Sequence, residues 1–191
     1  MSAADGNFGR FAFFFDRDGT LIHDPGYLHE PEKVVLLRGV RETLAALKAR
    51  GCLLFLFTNQ SGPARGLCTM DDVLACNRRM EELAGSSPLF DGECIATEHP
   101  DAPVQAYRKP SPRFILETIA KFGLDPAKCL MVGDKSRDLE SGVAAGIGAI
   151  RISADIDDAK AAAYCAAHGL PTVAAFADLL AFAPVQQPAT P

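Results

Sequence analysis

The stretch Phe11-Ala12-Phe13-Phe14-Phe15-Asp16-Arg17-Asp18-Gly19-Thr20 decides the fold. Five consecutive apolar residues are too few for a helix. A continuous apolar run halted by a polar turn describes a strand covered on both faces, as in a parallel sheet flanked by helices. Working outward, Val40 to Arg50 places Val40, Leu44 and Leu47 at helical spacing, stops at Gly51 and feeds a second buried strand, Cys52 to Phe57. The alternation continues with a helix Met70 to Ala84, a short strand Gly92 to Thr97 and a helix Pro112 to Phe122. A strand Cys129 to Val132, a helix Leu139 to Ala145 and a strand Gly148 to Ile152 complete it. Alternating strands and helices imply an α/β fold, a three-layer Rossmann-like doubly wound parallel sheet with helices on both faces.

Composition agrees with that architecture. The chain has 191 residues, 48% of them hydrophobic and 23% charged, which suits one globular domain over 1–183 and excludes a collagenous or disordered chain. The tail from Ala183, with Pro184, Pro188 and Pro191, is expected to be poorly ordered over 184–191. No apolar run approaches the roughly 18 residues of a membrane span, and the first six residues do not read as a signal peptide, so a cytoplasmic location is expected. The net charge is -5, without a long block of either sign, which disfavours electrostatic capture of nucleic acid. Cys52, Cys68, Cys76, Cys94, Cys129 and Cys165 are scattered without a C-x-x-C pair, as reduced structural thiols would be.

In open parallel sheets the ligand sits beyond the carboxyl ends of the strands. Three strands end in chemistry-bearing segments: Asp16-Arg17-Asp18-Gly19-Thr20, Thr58-Asn59-Gln60-Ser61-Gly62 and Gly133-Asp134-Lys135-Ser136-Arg137-Asp138. Asp16 and Asp18 alternate along extended chain and leave the same face, so they can divide nucleophile and acid/base roles. Dianionic phosphate would repel both carboxylates, and a cation is therefore needed. Asp134 completes an oxygen-rich Mg²⁺ site with Asp16 and a backbone carbonyl near Asp18. Taken alone, D-x-D-G also suits a turn with an Asx cap. Thr20 would support the turn or orient Asp18.

The set F-F-F-D-R-D-G-T-L, L-F-T-N-Q-S-G, R-K-P and V-G-D-K-S-R-D, in that order over Phe11 to Ile152, resembles the haloacid dehalogenase-like phosphohydrolases. The resemblance implies Asp16 as nucleophile, Asp18 as acid/base, Thr58 as the hydroxyl of the second motif, Lys109 as the lysine of the third and Asp134 as the metal-binding acid of the fourth. Thr58 and the amides after it can bind phosphoryl oxygens, and the Lys109 ammonium can neutralise the charge that develops there. Only about 38 residues separate Asp18 from Phe57, so a large cap domain does not fit and His23 to Lys33 is at most a flap.

D-R-D-G-T-L-I with Tyr27, T-N-Q-S-G-x-A-R-G and G-D-K-x-x-D look closest to the subgroup of D-glycero-D-manno-heptose 1,7-bisphosphate phosphatases and histidinol-phosphate phosphatases. In that subgroup Arg108 would assist substrate recognition and Lys135 would contact the substrate phosphate. Asp24 and Tyr27, with Asn59, Gln60 and Ser61, fall in its substrate-facing segments. A sugar bisphosphate is the leading expectation. Histidinol phosphate, a nucleic-acid 3'-phosphate end and a non-catalytic phosphate-binding module are the alternatives. Many members carry a C-x-H…C-x-C zinc loop before R-K-P; here Ala96, Glu98, Gln105 and Tyr107 stand at the ligand positions, so no zinc is expected although Cys94 and His99 remain nearby. The role of Asp138 and the way this loop is held stay open at this level.

Overall fold

The computed structural model describes residues 9–153 and 158–183. Six parallel strands form one sheet in the order β3-β2-β1-β4-β5-β6. These are β1 (Ala12–Phe15), β2 (Leu53–Asn59), β3 (Gly92–Ala96), β4 (Cys129–Gly133), β5 (Gly148–Ile152) and β6 (Thr172–Val173). The helices are α1 (Val40–Ala49), α2 (Met70–Ala84), α3 (Arg113–Phe122), α4 (Ser136–Ala144) and α5 (Ala159–His168).

The period of two along β1 explains its unbroken apolar run. Phe13 and Phe15 face one core with Leu54, Leu56 and residues of α1 and α2, while Ala12 and Phe14 face a second core with Phe55, Phe57, Met131 and residues of α3, α4 and α5. Phe14 stacks on Phe55 at 4.9 Å between centroids, and Phe15 on Phe176 at 5.8 Å. Each phenylalanine so withdrawn from water contributes roughly 1.5–3 kcal/mol. With β1 at the centre, the chain winds outward to β3 on one side and to β6 on the other. The carboxyl ends of β1, β2 and β4 therefore meet at the point where the winding reverses.

Some boundaries differ from the sequence reading, each for a local reason. The helix expected to begin at Leu139 begins at Ser136, because the Asp138 carboxylate accepts a bond from the Lys135 amide at 3.0 Å and closes the first turn. β2 runs two residues past Phe57, its Thr58 and Asn59 pairing with Ile95 and Ala96. The reading also missed α5, β6 and a closing 3-10 segment, Phe176–Phe182. α5 is rich in alanine and buries only Ala161 and Cys165, so its apolar periodicity is faint. Ala183, taken as the start of the loose tail, is buried and its carbonyl accepts a bond from Arg50 Nη1 at 2.5 Å. The remainder of that tail, 184–191, lies outside the described residues. Between β1 and α1 the chain makes no cap domain, only the 3-10 turn Pro31–Lys33 and the isolated bridges Asp18–Ile22 and Ile22–Leu36. Among the described residues, no helix is long and apolar enough to cross a membrane.

Candidate active site

Asp16 follows β1 directly and its amide still pairs with the Val132 carbonyl at 3.0 Å, so the strand fixes its position at the sheet edge. The turn after it is built on one acceptor: the Arg17 carbonyl receives the amides of Leu21 at 2.8 Å and Ile22 at 3.1 Å. Gly19 is the residue that permits this path. Its φ is +80°, and a Cβ there would lie 2.4 Å from Asp134 Oδ2.

Beneath the turn, Asp16, Asp134 and Asp138 each offer an oxygen within 4.8 Å of the others, and all three are buried. Lys109 Nζ is also buried, donating to Asp16 Oδ1 at 2.7 Å and to the Phe57 carbonyl at 2.7 Å while lying 2.7 Å from Asp138 Oδ1. Burial opposes the Lys109 charge, but Asp138 and Asp16 outweigh it and hold the ammonium above its ordinary pKa. The carboxyl of Asp134 is pushed up to about 7, chiefly by burial and then by the charges of Asp16 and Asp138. Lys135 Nζ stands 2.8 Å from Asp134 Oδ2 and offsets part of that shift. Asp138 is likewise raised by burial and by Asp16.

This donor set fits a hard divalent cation. Asp134 Oδ2 and Asp138 Oδ1 are close to ammonium groups yet have no hydrogen bond of acceptable alignment, so buried carboxylate oxygens face one another with lone pairs to spare. Asp16, Asp134 and Asp138 would hold Mg²⁺. Asp18 was expected in the metal set through a backbone carbonyl near it; its carboxylate is not part of the cluster, which includes Asp138 instead.

Asp18 turns its carboxylate elsewhere. It receives Arg17 Nε at 3.1 Å and Nη2 at 3.0 Å on Oδ1, and Gln60 Nε2 at 2.5 Å on Oδ2. Gln60 also donates to Thr58 Oγ1 at 2.8 Å, which ties the second strand end to the first. Burial raises the Asp18 pKa, the Arg17 charge opposes this, and the Asp16 charge adds to it. Thr20 faces Asp134 at 3.5 Å rather than Asp18.

At Asp18 opens a cleft of about 310 Å³, lined also by Asp24, Tyr27, Asn59, Gln60 and Ser61 together with Arg65, Arg108 and Arg137. The structure thus brings the expected substrate-facing residues to one place, with Lys135 turned to Asp134 instead of the cleft wall. Asn59 has a second task, pairing with both the amide and the carbonyl of Lys109 at 2.9 and 3.1 Å. Arg65 and Arg137 were not anticipated. Burial, and then the nearby Arg137 charge, push Arg108 below the usual guanidinium range, with Arg65 acting in the same sense. Arg137 has no hydrogen bond or ion-pair partner among the described residues. A cation in the first turn of α4 opposes the helix dipole, and that was the available signal for it.

The loop between β3 and Lys109 is held by side-chain bonds from Glu98, Gln105 and Tyr107, three of the four positions that the resemblance matches to the zinc ligands of many members. Glu98 accepts the Tyr107 amide at 2.7 Å, and Gln105 Nε2 donates to the carbonyls of His99 at 3.1 Å and Pro100 at 2.5 Å. The Tyr107 hydroxyl reaches Glu117 at 3.0 Å, while Ala96 is buried at the end of β3. Burial pushes the Cys94 thiol up to about 12.

Comparisons with known proteins bear on the family and the fold. Residues 24–146 match the family described as haloacid dehalogenase-like hydrolase. The chain is 37% identical over 158 residues to a D-glycero-alpha-D-manno-heptose-1,7-bisphosphate 7-phosphatase of Burkholderia mallei, covering 79% of this chain and 84% of that protein. It is 38% identical over 144 residues to the beta-anomer 7-phosphatase of Yersinia pestis, covering 72% and 77%. Among solved structures, a D,D-heptose 1,7-bisphosphate phosphatase from B. bronchiseptica, complexed with magnesium and phosphate, superposes with a TM-score of 0.76 at 25% identity, covering 90% of this chain and 98% of that one. With the acids, the lysine and the sheet edge arranged as described, the chain belongs to the haloacid dehalogenase-like hydrolases.

Proposed function

We propose that this chain is a Mg²⁺-dependent phosphatase that hydrolyses a sugar bisphosphate through an aspartyl-phosphate at Asp16. The observation that carries the substrate class is the group of three guanidinium side chains, Arg65, Arg108 and Arg137, around the cleft that Asp18 lines. The charges of Arg137 and Arg65 push against that of Arg108, and a second phosphate on the substrate would relieve that repulsion. Histidinol phosphate carries an ammonium group, which the same charges disfavour. The heptose 1,7-bisphosphate relatives supply the sugar.

The residues divide the work as follows. An Asp16 carboxylate oxygen attacks phosphorus and forms the new O–P bond. As the bond to the leaving oxygen breaks, the protonated Asp18 carboxyl gives that oxygen its proton, releasing the alcohol and leaving Asp18 as carboxylate. Asp18 then takes a proton from a water that attacks phosphorus, the Asp16–phosphate bond breaks, and inorganic phosphate and both aspartates are regenerated. Lys109 holds the Asp16 oxygen in place and, with Thr58 and the amides after it, offsets charge on the transferring group. Asp16, Asp134 and Asp138 would hold Mg²⁺, which when bound would supply charge neutralisation for the reaction of a phosphate beside carboxylates. Zinc has no part in this reading, since Glu98 and Gln105 are engaged in the loop they hold.

A turnover panel with Mg²⁺ tests the assignment: heptose 1,7-bisphosphate of both anomers, other sugar bisphosphates, histidinol phosphate and a 3'-phosphorylated oligonucleotide. A sugar bisphosphate is expected to give the highest kcat/KM. Preference for histidinol phosphate or the oligonucleotide would replace the substrate class, and no turnover of any compound would favour a binding module.

A further inference from the structure

Arg17 stands between the two aspartates of the turn and is 0% exposed. The turn itself uses only the backbone of this residue, so an apolar side chain would serve the fold at lower desolvation cost than a guanidinium. What the guanidinium does is visible in its bonds. Nε and Nη2 grip the Asp18 carboxylate, and Nη1 donates to Asn77 Oδ1 at 3.0 Å.

Asn77 belongs to α2 and lies on its buried face with Val73, Cys76, Met80 and Ala84. An amide is out of place on that face. It is 4% exposed, and its Nδ2 faces the Glu93 carboxylate, whose charged form it favours, without a well-aligned bond. At the other end of the amide, Oδ1 fixes the rotation of the guanidinium that in turn fixes Asp18.

We propose that Asn77, acting through Arg17, is a positioning residue that fixes the Asp18 carboxyl for proton transfer to the leaving oxygen, an inference that rests on the assignment of Asp18 as acid and base. The chain Asn77–Arg17–Asp18 approaches the carboxylate from the protein side, and Gln60 approaches it from the cleft side. Loss of Asn77 leaves Arg17 without its outer anchor. Asp18 then samples orientations from which the proton does not reach the departing alkoxide.

Leaving-group dependence separates positioning of the acid from general damage. A sugar alkoxide needs the proton, whereas p-nitrophenolate departs without it. For Asn77→Leu and Arg17→Lys, kcat/KM on heptose 1,7-bisphosphate is expected to fall roughly ten- to a hundredfold, part of the 10²–10⁴ that a general acid supplies. On p-nitrophenyl phosphate the fall is expected to stay below about threefold, with inhibition by inorganic phosphate unchanged. Asp18→Asn is the reference for complete loss of the acid. If it shows the split and the folded Asn77 and Arg17 variants lose both activities equally, the positioning role is overturned. If Asp18→Asn itself shows no split, the assignment of Asp18 fails instead.

Discussion

Lys109 Nζ donates to Asp16 Oδ1 at 2.7 Å from a site with no solvent exposure on its side chain. The contact places a fixed positive charge against the attacking carboxylate, and the same ammonium lies 2.7 Å from Asp138. Lys109 therefore belongs to stability as well as to catalysis. Lys109→Ala is expected to abolish turnover and to cost about 3–5 kcal/mol of stability in metal-free protein, because it strands buried carboxylates. Chemical denaturation with and without Mg²⁺ checks this, and a neutral effect on stability would contradict it.

The raised Asp134 carboxyl gives a pH dependence with a definite sign. Its pKa in the folded, cation-free protein is about 7, above the ordinary carboxylate range of the unfolded chain. The native state binds the extra proton, so stability of metal-free protein is expected to fall as pH rises from about 4 to about 7 and then level off. Mg²⁺ affinity should rise over the same interval, as deprotonation frees the ligand. Melting temperatures in EDTA and in Mg²⁺ at pH 5, 6 and 8 test both halves. Metal-free protein that gains stability between pH 5 and 8 would sink the account of this acid cluster.

Arg137 and Arg65 are expected to discriminate bisphosphate from monophosphate. A hydrogen bond to a charged group is worth about 1.5–3 kcal/mol, so Arg137→Ala should lower kcat/KM for a sugar bisphosphate roughly ten- to a hundredfold. The corresponding monophosphate should lose less than about threefold, since it has no second phosphate for Arg137 to bind. Equal losses on both substrates would remove Arg137 from recognition of the second phosphate.

The loop before Lys109 gives a prediction about metals. With Glu98 and Gln105 bonded to the backbone of the loop, zinc-selective chelation is expected to leave folding and activity unchanged, while removal of Mg²⁺ stops turnover. One tightly bound zinc per chain by elemental analysis would contradict this and point to Cys94 and His99.

Much of the site is legible from residue order because the sheet is regular. A strand buried on both faces announces itself as Phe11 to Phe15, and whatever follows it must sit at the sheet edge; Asp16, Thr58 and Asp134 are read that way. Lys109 enters from a loop, and its placement came through resemblance rather than pattern. Arg65 and Arg137 escaped because the reach of an exposed side chain depends on how a loop or a helix start is aimed, which no period reports. Asn77 escaped for a different reason: one amide on an apolar helix face resembles an ordinary imperfection until its partner is seen. The alanine-rich α5 lacked the large side chains that make a helix visible.

The central claim is a covalent phosphate on Asp16. Acid quenching of the enzyme during turnover with Mg²⁺ and a sugar bisphosphate, followed by borohydride reduction, converts an aspartyl-phosphate to homoserine that mass spectrometry locates in the peptide. Homoserine at residue 16, absent without substrate and absent in Asp16→Asn, is the expected result. Modification at a different residue, or full turnover by Asp16→Asn, would contradict it.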